Sequence, residues 1–260
     1  MKTILILNDE KYYLPGFLDE FLKNTKHEIT HVFTVDFFPP QANKKTYTKA
    51  SMVIMPTSFL MLYILKTSFN ALLSILPLPS RFKRLCSIAH TCRHYSIAHK
   101  KILDVNDPLF LEWIKSERIE AALSICSQIY RLPILSIDHL KLYNFHPSLL
   151  PRNKGRFPVF WAFMRDDPQG MTCHRIVEKI DAGEILCQTV VETSTKDDVA
   201  TVLDKITKLS PSFFEEAFDR IMQNNPQQNL IPGDSFYGPT PSMDEIKTYH
   251  RIIHDRRSKV

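Results

Sequence analysis

The sequence predicts an α/β domain built on a mostly parallel, doubly wound sheet, and three observations carry that expectation. Short apolar runs closed by polar residues recur at positions 3–7, 121–125 and 142–145, each of strand length. Segments with helical spacing stand between such runs, and this alternation is the pattern of parallel sheets with helices on both faces. A length of 260 residues also suits one medium domain, which buries about 70% of its unfolded surface and needs no covalent staple.

Taken in order, residues 3–7 read as a buried strand, 14–22 as a helix, and 28–33 as a second strand by alternation. Pro39-Pro40 opens a polar loop. Residues 52–78 follow as one or two helices. Pro56, Lys66, Asn70 and Pro77 divide this stretch into pieces shorter than the ~20 residues a span requires, so no membrane span is expected. Buried or interfacial helices are expected instead. Apolar residues exposed there would mark an interface, in a homodimer or toward a lipid-linked acceptor.

Asp107 before Pro108 supplies an N-cap and a first-turn proline for a helix over 109–116, and 121–125 is a central strand. Further strands are expected at 142–145, 171–177 and 185–191. Thr195 with Asp198 resembles a capping box for a helix with Val199, Val202, Leu203, Ile206 and Leu209 on its apolar face. Pro211 is expected to break or kink that helix, with 213–222 continuing it. After Asn224 the composition turns to Pro, Gln, Asn and Gly. We therefore expect a core over 1–224 and an extension over 225–260 that packs on it and ends in a helix over 243–251.

The net charge of +5 is mild and reads as scattered, compatible with an anionic substrate and not calling for nucleic acid. Five cysteines, odd in number and without paired spacing, fit a reducing, cytoplasmic setting. The apolar start ends at Asn8-Asp9-Glu10-Lys11, too soon for a signal peptide. His90, Cys92, His94 and His99 are ligand types without a zinc-like spacing, so no metal is expected.

The chemistry concentrates between residues 144 and 183. In an extended backbone Asn144 and His146 share a face, and Pro147 holds His146 out of the helical region. An amide and an imidazole at the end of a strand can both donate to an oxygen that turns negative during acyl transfer. Asp181, on a turn between two strands, is the candidate carboxylate to hold the imidazolium and help move protons. These residues alone also fit a plain strand end and an ordinary turn.

Asn144, His146-Pro147-Ser148-Leu149-Leu150-Pro151 and Gly155 together resemble the signature loop of the folate-dependent formyltransferases. Gly170-Met171-Thr172-Cys173-His174 and Ile180-Asp181-Ala182-Gly183-Glu184-Ile185-Leu186 are similar to the family's next two blocks, with Trp161-Ala162 fitting the helix between. The resemblance implies a Rossmann-like formyltransferase fold and 10-formyltetrahydrofolate as formyl donor. It also implies catalytic roles for Asn144, His146 and Asp181. It further implies a pterin slot at Gln128, Ile129, Tyr130, Leu132, Ile180 and Asp181, although Ser127 stands where many relatives have Gly. His174 and Ser148 are candidate contacts to substrate. The acceptor it implies is a small amine, most plainly that of a nucleotide-linked amino sugar. A formyltetrahydrofolate hydrolase or a folate-binding homologue without turnover are the alternatives. The extension is too short for the second barrel of tRNA-modifying members.

Overall fold

The computed structural model describes residues 1–36, 43–227 and 231–258, so the loop expected at Pro39-Pro40 lies outside the described residues. The chain opens with strand β1 (Thr3–Asn8), helix α1 (Leu14–Asn24) and β2 (Ile29–Val35), followed by α2 (Lys44–Ile54), α3 (Thr57–Ile75), α4 (Ser80–Lys83) and α5 (Ile88–His94). It continues through β3 (Ala98–Lys101), α6 (Pro108–Ser116), β4 (Ala121–Ile125), α7 (Leu132–Leu135) and β5 (Lys141–His146). The last part holds β6 (Lys154–Gly155), α8 (Pro158–Met164), β7 (Gly170–Arg175), β8 (Ile185–Val190), α9 (Val199–Gln223), β9 (Tyr237–Gly238) and α10 (Met243–Ser258).

Among the described residues seven strands form one sheet in the order β3-β2-β1-β4-β5-β7-β8. The first five are parallel, while β7 runs antiparallel to both β5 and β8. Every residue of β1 is buried, as a central parallel strand covered on both faces must be. One face packs Ile4, Ile6 and Leu142 against Phe110, Ile114 and Ile134 of α6 and α7. The other carries Leu5, Leu7, Tyr143 and Phe145 against α1, α8, α9 and α10. Phe17 and Phe21 of α1 meet Phe214 and Phe218 of α9 in a continuous aromatic seam. Each such ring stabilises the fold by about 1.5–3 kcal/mol through removal from water.

The segment after Asn224 returns to the same core. Ile246, Tyr249 and Ile253 are buried in it, and Tyr249 Oη accepts from Val199 N at 2.9 Å. Strand β9 pairs in parallel with β6, and Trp161 Nε1 donates to the Pro239 carbonyl at 2.9 Å.

Several expectations need correction. The cap of α9 is Asp198 with Thr201, each side chain bonding the other's backbone N–H, rather than Thr195 with Asp198. Pro211 does not divide that helix, because Val202 and Ile206 on one side of it and Phe213 and Phe214 on the other enter one core. Strand β3 was not legible: three of its four residues are exposed, as on a sheet edge, and Ala-His-Lys-Lys has no apolar alternation. The largest difference is α3. Lys66 and Asn70 do not interrupt it; Thr57–Ile75 is one helix with a mean hydropathy of 1.4, long and apolar enough by length and composition to cross a membrane. Nor is it a buried helix, since Asn70 is its single buried residue.

Candidate active site

Strand alternation places the site. Along β5, Tyr143 and Phe145 enter the larger core, so Asn144 and His146 face the other way with Leu142. Along the antiparallel β7, Met171 and Cys173 enter the larger core, so Thr172 and His174 share the face of Asn144 and His146. The register sets Asn144 opposite His174 and His146 opposite Thr172. Asn144 Nδ2 lies 3.4 Å from His174 Nε2.

Asp181 completes the cluster from the turn between β7 and β8. Its Oδ2 is 3.7 Å from His146 Nδ1, and its Oδ1 is 3.5 Å from His174 Nε2. Asp181 adopts a left-handed φ of 48°, which an Asp tolerates better than most side chains. Gly183 beside it admits no other residue without a shift, since a Cβ there would run into the Arg175 carbonyl.

The loop between β5 and α8 closes the other side. Gly155 N donates to Asp181 Oδ2 at 2.7 Å. The carbonyl of Asn153 accepts from His146 Nε2 at 2.9 Å, and because a carbonyl only accepts, that nitrogen carries a proton. The second proton of an imidazolium therefore sits on Nδ1, toward Asp181. Thr172 pins the loop by donating to the Ser148 carbonyl at 2.7 Å and accepting from Leu150 N at 3.1 Å. Gly155 has a φ of 82°, and a Cβ there would lie 2.8 Å from the Gly238 carbonyl, so the pairing of β6 with β9 requires glycine.

The electrostatics follow from burial and these partners. Burial pushes His146 below the ordinary imidazole value, while Asp181 and the Asn153 carbonyl oppose that shift. Burial also acts to raise Asp181, but His146, the donor from His174 and the Gly155 N–H outweigh it and hold the carboxyl well below its usual range. The carboxylate is thus ionised through the working pH range, and the imidazole is held between a desolvation that discharges it and an anion that charges it.

Other anticipated residues are placed differently. The Ser148 side chain is fully buried and donates to the carbonyls of Arg152 and Asn153, which closes the loop and leaves it no ligand-facing side in this conformation. Gln128 is committed to Val105 N and the Leu103 carbonyl, and Tyr130 Oη donates to Ser124 Oγ. Ile129, Leu132 and Ile180 do expose apolar side chains. Sequence reasoning missed Asn153 and the backbone role of Gly155. The signal was Arg-Asn-Lys-Gly, where Asn and Gly mark left-handed positions, and Asn153 has a φ of 49°. Among the described residues no group of three His, Cys, Asp or Glu side chains gathers as a metal site.

Residues 110–218, which contain the whole cluster, match the formyl transferase family. The fold is similar to that of a sugar N-formyltransferase from a Shewanella species, with 20% identity over 92% of this chain and 76% of that one and a TM-score of 0.55. It is also similar to a 4-N formyltransferase from Francisella tularensis (17% identity, 98% and 87% covered, TM-score 0.58). A phosphoribosylglycinamide formyltransferase from Bacillus halodurans gives 15% identity, 85% and 95% covered, and a TM-score of 0.56. The match to the formyl transferase family thus spans the cluster, and the chain shares the formyltransferase fold over most of its length.

Proposed function

We propose that the protein transfers a formyl group from 10-formyltetrahydrofolate to the amine of a small acceptor, of the nucleotide-linked amino-sugar class. The observation that carries this reading is the gathering of Asn144, His146 and Asp181, with His174, within hydrogen-bond or ion-pair reach. The sugar N-formyltransferase likeness favours the acceptor class. The exposed apolar side chains of Ile129, Leu132 and Ile180 suit the flat face of a pterin.

The donor supplies a formyl carbon activated by its bond to a folate nitrogen. The acceptor nitrogen bonds to that carbon, the bond to the folate nitrogen breaks, and the proton lost by the amine ends on the folate nitrogen. Asn144 Nδ2 donates to the formyl oxygen as it turns negative. His146 donates from Nε2, exchanging the Asn153 carbonyl for the oxyanion, and takes up its second proton at Nδ1, beside Asp181, as the oxyanion's charge develops. Asp181 keeps the imidazolium oriented and moves the proton through a bridging water. His174 positions Asp181 or Asn144, whichever its Nε2 serves.

The test is tetrahydrofolate release from 10-formyltetrahydrofolate in the presence of a panel of amino-sugar nucleotides. Turnover that needs the amine and disappears in His146→Ala supports the assignment. Formate release without any amine assigns a hydrolase, and tight folate binding without turnover assigns a binding protein.

A further inference from the structure

Helix α3 is inside out for a protein surrounded by water. At about 100° per residue, Phe59, Tyr63, Lys66 and Asn70 fall on one stripe, and that stripe faces the domain. The rings of Phe59 and Tyr63 meet Tyr12 at 5.3 and 5.2 Å. Lys66 Nζ donates to the Tyr12 carbonyl at 2.6 Å, and Asn70 Nδ2 to the Leu85 carbonyl at 3.3 Å. The opposite arc carries Met61, Ile64, Leu65, Phe69, Leu72 and Ile75, each between 54% and 78% exposed. The helix's single buried residue, Asn70, is turned inward, its single charge, Lys66, remains exposed but reaches Tyr12, and its apolar face is turned out.

The charge around this helix is equally uneven. Residues 37–103 contain ten Lys and Arg and no Asp or Glu, so they carry +10. The rest of the chain has 23 basic and 28 acidic residues, a net of −5. The positive excess is therefore not scattered, as composition alone implied, but confined to the segment that holds α3. Arg84 and Lys101 pair with acids elsewhere in the domain. Lys45 and Lys49 before the helix and Arg81 after it are exposed.

We propose that α3 and its flanking helices α2 and α4 form a docking surface for an anionic lipid bilayer. An apolar helix with cations at both ends seats its side chains among acyl chains while Lys and Arg meet the headgroups. The helix lies along the bilayer rather than across it, because both its ends return to one domain. Before it, α2 buries Ala50 and Ile54 in the larger core, with Val53 O 2.8 Å from His250 Nε2 of α10; after it, α5 buries Ile88 and Cys92 in the same core. A second copy of the chain is the poorer occupant, since apposing two such faces would bring together two segments of +10 each.

The experiment is flotation of the full chain with vesicles of pure phosphatidylcholine and of phosphatidylcholine mixed with phosphatidylglycerol. Binding is expected to the anionic vesicles, and to weaken as salt rises from about 0.15 M to about 1 M. Leu65→Glu with Phe69→Glu should abolish it while thermal melting and far-UV circular dichroism stay unchanged. Lys45→Ala with Lys49→Ala should weaken it by at least about tenfold, and this pair carries the test if the first variant misfolds. No binding, equal binding to both vesicles, or binding unaffected by these substitutions overturns the proposal. A dimer formed without vesicles and split by Leu65→Glu also overturns it, by assigning the face to a second copy.

Discussion

His174 Nε2 stands 3.5 Å from Asp181 Oδ1 while His146 Nδ1 stands 3.7 Å from Oδ2, so two imidazoles share one carboxylate. His174 also reaches the Asn144 amide across the β5–β7 ladder at 3.4 Å. One ring nitrogen cannot accept from the amide and donate to the carboxylate at once, so Nε2 serves either the Asn144 amide or Asp181, while Nδ1 donates to the Arg175 carbonyl at 3.0 Å. His174→Ala should leave the fold intact and lower kcat by ~10–100-fold, the loss of one hydrogen bond to a charged group. A purely packing role would leave the pH profile of kcat/KM unchanged; a contact from Nε2 to the amide or the carboxylate shifts it.

Asn144→Ala should lower kcat by about 10²–10³, the usual worth of one oxyanion donor. His146→Ala and Asp181→Asn should each lose most activity while keeping the native far-UV circular dichroism spectrum. Steady-state kinetics on the folded variants decides this, and near-normal turnover in any of the three refutes the assignment.

Acid should destabilise the protein in two stages. His146 is held below its unfolded value, so as pH falls through about 6.5 the unfolded chain takes up a proton that the folded one resists, and stability drops. Asp181 is held below its unfolded value too; its contribution is intact above about pH 3.9 and is lost as pH falls toward its folded value. Urea midpoints measured against pH should fall less steeply between about pH 6.5 and 5 in His146→Gln than in the wild type.

Gly155→Ala puts a side chain into left-handed backbone and 2.8 Å from the Gly238 carbonyl. It should cost at least about 1–3 kcal/mol, seen as a lower Tm. Activity should fall with it, because the Gly155 N–H is a partner of Asp181.

Tyr249 ties the returning chain to the core through its ring and through Val199 N. Tyr249→Phe should cost about 1 kcal/mol for the lost hydrogen bond, and Tyr249→Ala about 3–5 kcal/mol for the cavity. Denaturant titration separates the two.

The sequence by itself determined the central strands of the sheet and which residues the candidate site offers. Apolar runs such as Thr3–Asn8 must be buried, and a period of two sends Asn144 and His146 to one face and Phe145 to the other. What it could not decide are relations across chain distance. That His174 lies opposite Asn144 depends on the register of an antiparallel pair, and that the Asn153 carbonyl fixes the His146 tautomer depends on how a loop closes. The orientation of α3 was likewise hidden: its composition reads as a buried helix, and only its packing on Tyr12 and Leu85 shows that the polar stripe turns inward. Local patterning is written in neighbouring residues, whereas which surfaces meet is settled by tertiary packing, where each contact's worth depends on what else is already in place.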